Sequence, residues 1–336
     1  MLAGAAASCR SFAIIYKIVQ KAEDMNMHLL VELVLLVIGF VMLIKGADIF
    51  VEGAAGIAAK FGIPQLVIGL TIVAMGTSAP EAAVSITAAM KGTADITVGN
   101  VIGSNILNVL VILGVTAVIV AVEVQQSTIR YEIPFVAFVT VALLVMGMTD
   151  GMIGHLDGVI LWVLFVVYLA YLFVMAKKGK QEDEEIHDEP VWKLILFIVV
   201  GVALIIWGAD VSVDAASEIA RQIGLSERFI GLTIVALGTS LPELCTSVVA
   251  ARKGKADLAI GNIVGSNIFN ILFVIGTTAL IIPVPFHPAF LIDTLAALGA
   301  VILLWICVYP KKKLTRTGGM LMLAAYAGYF AYLLVK

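Results

Sequence analysis

Two stretches of this chain match each other at a constant offset of 162 residues, and this duplication constrains the fold more than any other feature of the sequence. Residues 69–81 align without a gap with residues 231–243, and 11 of the 13 positions are identical. Residues 98–108 align with residues 260–270 at the same offset, with seven of 11 positions identical. A single offset held over this length indicates an internal repeat.

Apolar segments run through both copies of the repeat. Hydrophobic residues make up 61% of the chain and charged residues 13%, against about 25% charged residues in a soluble domain, which excludes an ordinary soluble protein. A membrane-spanning helix needs about 20 apolar residues. The sequence therefore predicts an all-α integral membrane protein with ten transmembrane helices, near residues 29–50, 64–90, 95–121, 133–149, 157–175, 191–213, 226–251, 257–282, 289–309 and 318–335.

The ten predicted spans divide into two sets of five. Residues 28–175 form the first five-helix repeat, residues 176–190 a charged connector and residues 191–336 the second repeat. Because five is odd, the second repeat must cross the membrane in the opposite sense, and inverted repeats are typical of secondary transporters. We interpret residues 1–27 as an N-terminal leader or a misassigned start, with an extra helix as the alternative.

The basic residues predict an orientation. If the spans alternate, 14 of the 21 Lys and Arg residues fall on the side of the connector and seven on the other. The positive-inside rule then makes the connector cytoplasmic and both termini extracellular, in a multi-pass protein of the cell membrane. The net charge of −3 gives no basic field for nucleic acid. We expect a monomer whose only large partner is the lipid bilayer.

Two acidic residues lie deep in apolar spans. Glu81 and Glu243 are repeat mates, and a charge at such depth costs at least about 2.5–3.5 kcal/mol. Lys and Arg are absent nearby, so a bound cation is the expected counter-charge. The alternative is a pair of protonated glutamates that hydrogen-bond across a helix interface. Pro80 and Pro242 cannot donate backbone hydrogen bonds and predict helix interruptions that free carbonyl oxygens beside the acids.

Uncharged oxygen donors surround both acids. Hydroxyl groups lie next to them at Thr77, Ser78, Thr239 and Ser240, and two polar faces follow at Asn100, Ser104 and Asn108 and at Asn262, Ser266 and Asn270. Such all-oxygen ligands suit Ca²⁺ or Na⁺ better than softer transition metals. We interpret Asn100, Asn105, Asn262 and Asn267 as helix-to-helix hydrogen bonders rather than ligands. Glycines at intervals of four, Gly99 with Gly103 and Gly261 with Gly265, predict close helix packing.

Other reactive residues are poorly placed for chemistry. The cysteines at positions 9, 245 and 307 are too scattered for a metal or redox pair. The four histidines lie at span ends or in loops: His28, His155, His187 and His287. We also assign four acids to span ends, at a boundary or an entrance: Asp48, Glu52, Asp210 and Asp214. The sequence predicts no catalytic residue, no enzyme and no cofactor.

The duplicated motifs resemble those of the sodium/calcium exchangers of the calcium:cation antiporter superfamily, most closely the prokaryotic type. The resemblance covers about residues 28–336 and rests on residues 76–81 with 103–108 and on residues 238–243 with 265–270. It implies cation binding at Ala74, Thr77, Ser78, Glu81, Ser104, Asn108, Ala236, Thr239, Ser240, Glu243, Ser266 and Asn270. For Ala74, Thr77, Ala236 and Thr239 it implies ligation through the backbone carbonyl.

The resemblance implies exchange of Na⁺ for Ca²⁺ by alternating access. Two carboxylates balance one Ca²⁺ or two Na⁺, and a third Na⁺, as the family implies, would make the exchange electrogenic. Some relatives have Asp at the position of Asn270, which weakens any expectation of K⁺ co-transport. A Ca²⁺/H⁺ antiporter is the alternative, and a cation channel or an intramembrane hydrolase are more distant ones.

Overall fold

The computed structural model describes residues 2–178, 189–224 and 236–335, with side chains described for residues 28–178, 189–224 and 237–334. The first repeat contains α1 (Leu2–Phe61), α2 (Gln65–Thr77), α3 (Ala79–Met90), α4 (Asp95–Ile119), α5 (Thr128–Asp150) and α6 (His155–Lys178). The second contains α7 (Val191–Gln222), a short turn Ala236–Gly238, α8 (Leu241–Arg252), α9 (Ala256–Ile281), α10 (Ala289–Val308) and α11 (Arg316–Val335).

The helices agree with the predicted all-α membrane fold. In the described ranges, eight helices are long and apolar enough to cross a membrane, and α2 with α3 forms one further span that bends by 51°. In the second repeat α8 corresponds to α3, and the predicted first half of that span, residues 226–235, lies outside the described residues. The ten-helix count is consistent with this arrangement.

Some predicted boundaries were wrong. The first span was predicted to end at residue 50, but α1 continues to Phe61 because helix-breaking residues come only afterwards, at Gly62 with φ 63° and at Pro64. The fourth span begins at Thr128 rather than at residue 133. The prediction for residues 1–27 and most of the connector fall outside the described side chains, and both stay predictions.

The repeat mates α1 and α7 pack against each other in antiparallel fashion, and this contact demonstrates the inversion. A Cβ atom added to Gly39 would lie 2.9 Å from the carbonyl oxygen of Gly208, and one added to Gly46 would lie 2.9 Å from that of Gly201. From one contact to the next, the residue number increases along α1 and decreases along α7. The four glycines are also two pairs of repeat mates, so a pseudo-two-fold axis passes through this interface.

Two short antiparallel ribbons join the loops at opposite ends of the bundle. The strand β1 (Val122–Glu123) pairs with β4 (Lys313–Leu314), and β2 (Met152–Ile153) pairs with β3 (Val284–Pro285). Because α5 separates β1 from β2, the two ribbons lie on opposite sides of the membrane. The repeat offset exchanges one ribbon with the other, as an inverted repeat requires.

The core of the bundle lies around α9, and apolar side chains cover its exterior. Every residue from Leu258 to Phe269 is buried. By contrast, α1, α6 and α7 expose large aliphatic side chains such as Val37, Val163 and Val199, which are 62%, 56% and 59% exposed. An apolar exterior of this kind suits contact with lipid tails. Polar residues are concentrated instead at the centre of the bundle.

Candidate functional site

The predicted helix interruptions occur directly before both buried acids. In the first repeat α2 ends at Thr77 and α3 begins at Ala79, with Ser78 outside helical geometry at φ −84° and ψ 8°. Pro80 lies at the start of α3 and Glu81 in its first turn. In the second repeat Pro242 and Glu243 occupy the same positions at the start of α8. Proline fits there because the first turn of a helix needs no backbone donor.

Widened helical turns follow on the neighbouring helices, and the sequence did not predict them. A π-helical segment covers Leu107–Leu113 in α4, and another covers Asn270–Ile275 in α9. The first packs against α8 and the second against α3. Each repeat therefore brings its Asn-bearing segment to the Glu-bearing helix of the other repeat. Such π-helical turns are frequent at functional sites.

The two carboxylates converge at the centre of the molecule. Ser78 Oγ donates to Glu243 Oε1 at 2.7 Å, and Ser104 Oγ donates to Glu81 Oε1 at 3.5 Å. Ser78 precedes Glu81 by three residues, so its bond to Glu243 brings the two glutamates into one region. Each glutamate is 1% exposed. The site thus holds two carboxyl groups away from solvent.

Hydroxyl groups of the two repeats also meet there. Thr77 Oγ1 donates to Asn262 Oδ1 at 2.9 Å, and Ser266 Oγ donates to the carbonyl oxygen of Ala74 at 3.4 Å. Both contacts cross from α2 to α9. In the same region Gly261 lies so close to α2 that an added Cβ would be 3.0 Å from Cα of Gly69. The predicted close packing is confirmed for Gly261 and Gly265. Within the described residues, an added Cβ at Gly99 would meet only the Phe290 ring, at 3.4 Å, and one at Gly103 would meet nothing within 4 Å.

The interpretation of four asparagines as helix-to-helix hydrogen bonders is confirmed. Asn100 Nδ2 donates to Ser85 Oγ at 2.9 Å and to the carbonyl oxygen of Glu81 at 3.3 Å. Its repeat mate Asn262 makes the same two contacts, to Ser247 Oγ at 2.9 Å and to the carbonyl oxygen of Glu243 at 3.4 Å. Asn105 and Asn267 bond to each other across the pseudo-two-fold axis.

Ser85 and Ser247 were missed by the sequence reasoning. Both are fully buried, and each orients an asparagine against the backbone of a glutamate. A signal was available, because each serine follows its glutamate by four residues and the repeat offset relates the two.

Three further predicted positions of the second repeat, Ala236, Thr239 and Ser240, come shortly before Glu243 in the sequence. Ala236 begins the short turn Ala236–Gly238, and its side chain is outside the described part. Thr239 is half-buried and follows that turn, and Ser240 is buried at the start of α8. The hydroxyl of Ser240 has no hydrogen-bond partner. Among the described residues, the structure brings the predicted positions of both repeats to one region.

Five buried oxygen atoms of this region lack hydrogen-bond partners among the described residues, and both repeats supply them. They are Glu81 Oε2, Glu243 Oε2, Asn108 Oδ1, Asn270 Oδ1 and Ser240 Oγ. None of the ion pairs among the described residues includes either glutamate. An unpaired buried acceptor is destabilising. Oxygen atoms of these kinds bind hard cations, and a bound cation would neutralise ionised carboxylates.

The other reactive residues that the sequence analysis weighed make no hydrogen bond or ion pair with either glutamate among the described contacts. Lys253 Nζ pairs with Asp48 Oδ1 at 2.6 Å at the molecular surface, with Glu52 at 4.0 Å. Asp210 and Asp214 are exposed. Among described histidines, those at positions 28, 155 and 287 are exposed, and the described cysteines at 245 and 307 are unpaired. His187 and Cys9 lie outside the described side chains.

Glu132 is a third buried acid, which the sequence analysis did not single out. It is 1% exposed near the start of α5, and the Tyr171 hydroxyl donates to its Oε1. A cavity of about 400 Å³ between α5 and α6 lies beside it, lined mainly by apolar and aromatic groups such as Phe135 and Tyr168. Its repeat mate is Thr294, so this acid is not part of the duplicated site.

Two inverted five-helix repeats whose interrupted helices meet at buried polar groups define the architecture of a secondary transporter. A sequence profile of the family described as sodium/calcium exchanger protein matches residues 31–174 and 193–335. The chain therefore belongs to the sodium/calcium exchanger family, which is a family of antiporters.

Individual relatives agree with this assignment. A putative antiporter, CaxA of Alkalimonas amylolytica, is 38% identical over 313 residues, covering 90% of this chain and 98% of the relative. The sodium/calcium exchanger MaX1 of Methanosarcina acetivorans is 31% identical over 345 residues, covering 90% and 98%. A solved structure of the sodium-calcium exchanger NCX_Mj, soaked with zero Na⁺ and Ca²⁺, superposes with a TM-score of 0.79 at 31% identity. That match covers 91% of this chain and 99% of the other.

Proposed function

We propose that this protein exchanges Na⁺ for Ca²⁺ across the cell membrane by alternating access, with the twelve predicted positions as its cation-binding residues. The observation that carries the proposal is a set of five buried oxygens, two of them from the carboxyl groups of Glu81 and Glu243, that have no hydrogen-bond partner among the described residues. Carboxylate, amide and hydroxyl oxygens are the ligands that Ca²⁺ prefers. Among the described side chains of this region, none has a chemistry that requires a cofactor.

The charge of the site supports competition between the two ions. Glu81 and Glu243 together carry −2 when ionised, which one Ca²⁺ or two Na⁺ would balance. Because the same oxygens serve either ion, full occupancy by one excludes the other. A third Na⁺ would bring one net positive charge across the membrane in each cycle, so the exchange is electrogenic in this proposal.

Asymmetry between the repeats supports alternating access. Ser78 donates to Glu243, whereas its repeat mate Ser240 has no hydrogen-bond partner. Near-identical sequence motifs thus adopt two arrangements in one molecule. Exchange of these arrangements between the repeats would open the site to the other side.

Charge-removing variants at the two glutamates test the proposal. Glu81→Gln and Glu243→Gln should each abolish ⁴⁵Ca²⁺ uptake driven by a Na⁺ gradient in proteoliposomes, because the amide removes a charge and replaces one oxygen with a donor. Glu123→Gln is the matched control, since this acid lies in the exposed ribbon with a side chain 78% exposed. Uptake at the wild-type rate by either site variant would refute the proposal.

A Ca²⁺/H⁺ antiporter is the second candidate. Each glutamate has one oxygen without a hydrogen-bond partner, and such an oxygen could also accept a proton. Gradients of Na⁺, K⁺ and H⁺ imposed one at a time distinguish the two functions. Ca²⁺ uptake driven by a pH gradient without Na⁺ would favour the second candidate, and downhill uptake without any gradient of a second cation would favour a channel.

The proposal includes an orientation and an oligomeric state. The connector of residues 176–190 is cytoplasmic, both termini are extracellular, and the protein works as a monomer. Both repeats of one chain supply the candidate site, so a second copy is not needed to complete it. A single cysteine introduced into the connector of a cysteine-free variant should be labelled by impermeant reagents only in inside-out vesicles.

A further inference from the structure

The amide groups of Asn108 and Asn270 are held from across the repeat interface. Asn108 Nδ2 donates to Asn267 Oδ1 at 3.0 Å, and Asn270 Nδ2 donates to Asn105 Oδ1 at 3.2 Å. The contacts join α4 to α9, and the repeat offset exchanges one for the other. All four side chains are at most 4% exposed, so water does not compete for these bonds.

Backbone carbonyl groups determine the orientation of the side-chain amides of Asn105 and Asn267. Asn267 Nδ2 donates to the carbonyl oxygen of Asn105 at 3.3 Å, and Asn105 Nδ2 donates to that of Asn267 at 3.2 Å. A carbonyl oxygen only accepts, so each of these side chains must direct its nitrogen to the backbone and its oxygen to the partner amide. If either side chain flipped, its amide oxygen would face the backbone carbonyl oxygen of the other asparagine, and two acceptors would meet.

This chain of bonds determines which atom the next amide leaves free. Because Asn267 presents an oxygen, Asn108 must donate through its nitrogen. Asn270 must donate to the oxygen of Asn105 in the same way. The atoms left over are Asn108 Oδ1 and Asn270 Oδ1, both buried and without a hydrogen-bond partner. A flipped amide would instead leave an N–H group there, which repels a cation.

We propose that Asn105 and Asn267 are positioning residues, each of which orients the amide of the opposite repeat so that its oxygen faces the transported cation. This inference rests on the proposed function, in which Asn108 and Asn270 bind the ion. Each half of the site is thereby shaped by the other repeat. Loss of a group that orients a metal ligand typically weakens metal binding about 10–100-fold.

The decisive experiment removes a positioning residue in two backgrounds. Asn267→Leu has as many side-chain heavy atoms as asparagine but cannot hold Asn108, and it should raise the Kd for Ca²⁺ about 10–100-fold in ⁴⁵Ca²⁺ equilibrium binding to the purified full-length protein. In an Asn108→Asp background the same change should not raise the Kd, because both oxygens of a carboxylate are acceptors and Asn267 Oδ1 has no donor to hold there. In an Asn270→Asp background the full loss should persist, since Asn105 orients Asn270.

These outcomes separate positioning from helix packing. An equal loss of affinity in the wild-type and Asn108→Asp backgrounds would overturn the proposal, because a packing defect does not depend on the nature of residue 108. If thermal unfolding shows that Asn267→Leu does not fold, Asn267→Ser, whose hydroxyl is too short to replace the amide, takes its place. A wild-type protein that binds no Ca²⁺ would refute the proposed function itself. Wild-type binding with an unchanged Kd in the position 267 variants would refute only the positioning role.

Discussion

Ser78 and Ser240 occupy equivalent positions in the two repeats but have different partners, which gives a quantitative prediction. Ser78 Oγ donates to Glu243 Oε1 at 2.7 Å, whereas Ser240 Oγ is buried without a hydrogen-bond partner. A hydrogen bond to a charged group contributes about 1.5–3 kcal/mol. Ser78→Ala should therefore lower the free energy of unfolding of the ion-free protein by about this amount. Ser240→Ala removes the same hydroxyl without removing a bond and should have little effect.

Thermal unfolding of the purified protein measures this difference. In Na⁺-free buffer with a chelator, Ser78→Ala should unfold at a lower temperature than wild type and Ser240→Ala at a similar temperature. Added Ca²⁺ should then stabilise both variants less than wild type, because each lacks one proposed ligand and a ligand stabilises in proportion to its affinity. Equal destabilisation of the two variants without ions would refute the reasoning, since the hydrogen bond would then make no difference.

Further predictions concern the helix interface, the surface ion pair and the charge moved in each cycle. Gly46→Ala would bring a Cβ atom to 2.9 Å from the carbonyl oxygen of Gly201. Such overpacking should lower the free energy of unfolding by about 1–3 kcal/mol. As a control, Gly299→Ala meets open space in the described structure and should leave the unfolding temperature unchanged. Cysteines at Asp48 and Lys253, joined by a short bifunctional thiol reagent, should stop exchange until the link is cleaved, and undiminished exchange would contradict alternating access. Electrogenic exchange predicts that a membrane potential changes the rate of Ca²⁺ uptake, so a rate independent of voltage would exclude a net charge movement.

Much of the fold could be predicted from the sequence because membrane helices and repeats leave strong signals. Apolar segments of about 20 residues are required for spanning, and the offset of 162 residues related the two halves without knowledge of their contacts. The offset alone identifies Asn105 with Asn267, and Gly46 with Gly208, as symmetry-related pairs. The helix interruption before Glu81 was predictable from Pro80, because proline removes a specific backbone donor.

Other features depended on contacts that no local pattern encodes. The π-helical turns of α4 and α9 begin at Leu107 and at Asn270, where no proline announces them, and the glycines Gly114 and Gly276 come only after the turns end. The role of Ser85 follows only once α3 and α4 are packed together. Glu132 lies one residue before the predicted span 133–149, yet α5 begins four residues earlier, at Thr128, and buries it.

The sequence of the repeats is symmetric, and the departures of the structure from that symmetry carry the mechanism. Lys253 pairs with Asp48 at 2.6 Å, whereas their repeat mates Lys91 and Asp210 are exposed and have no ion pair within the described ranges. The inversion puts the two sets on opposite sides of the membrane. The paired side chains are 31% and 43% exposed, and exposed pairs contribute about 0–1 kcal/mol. In the proposed alternating access, a contact this weak breaks on one side as its mate forms on the other, and the bound ion decides between the two arrangements.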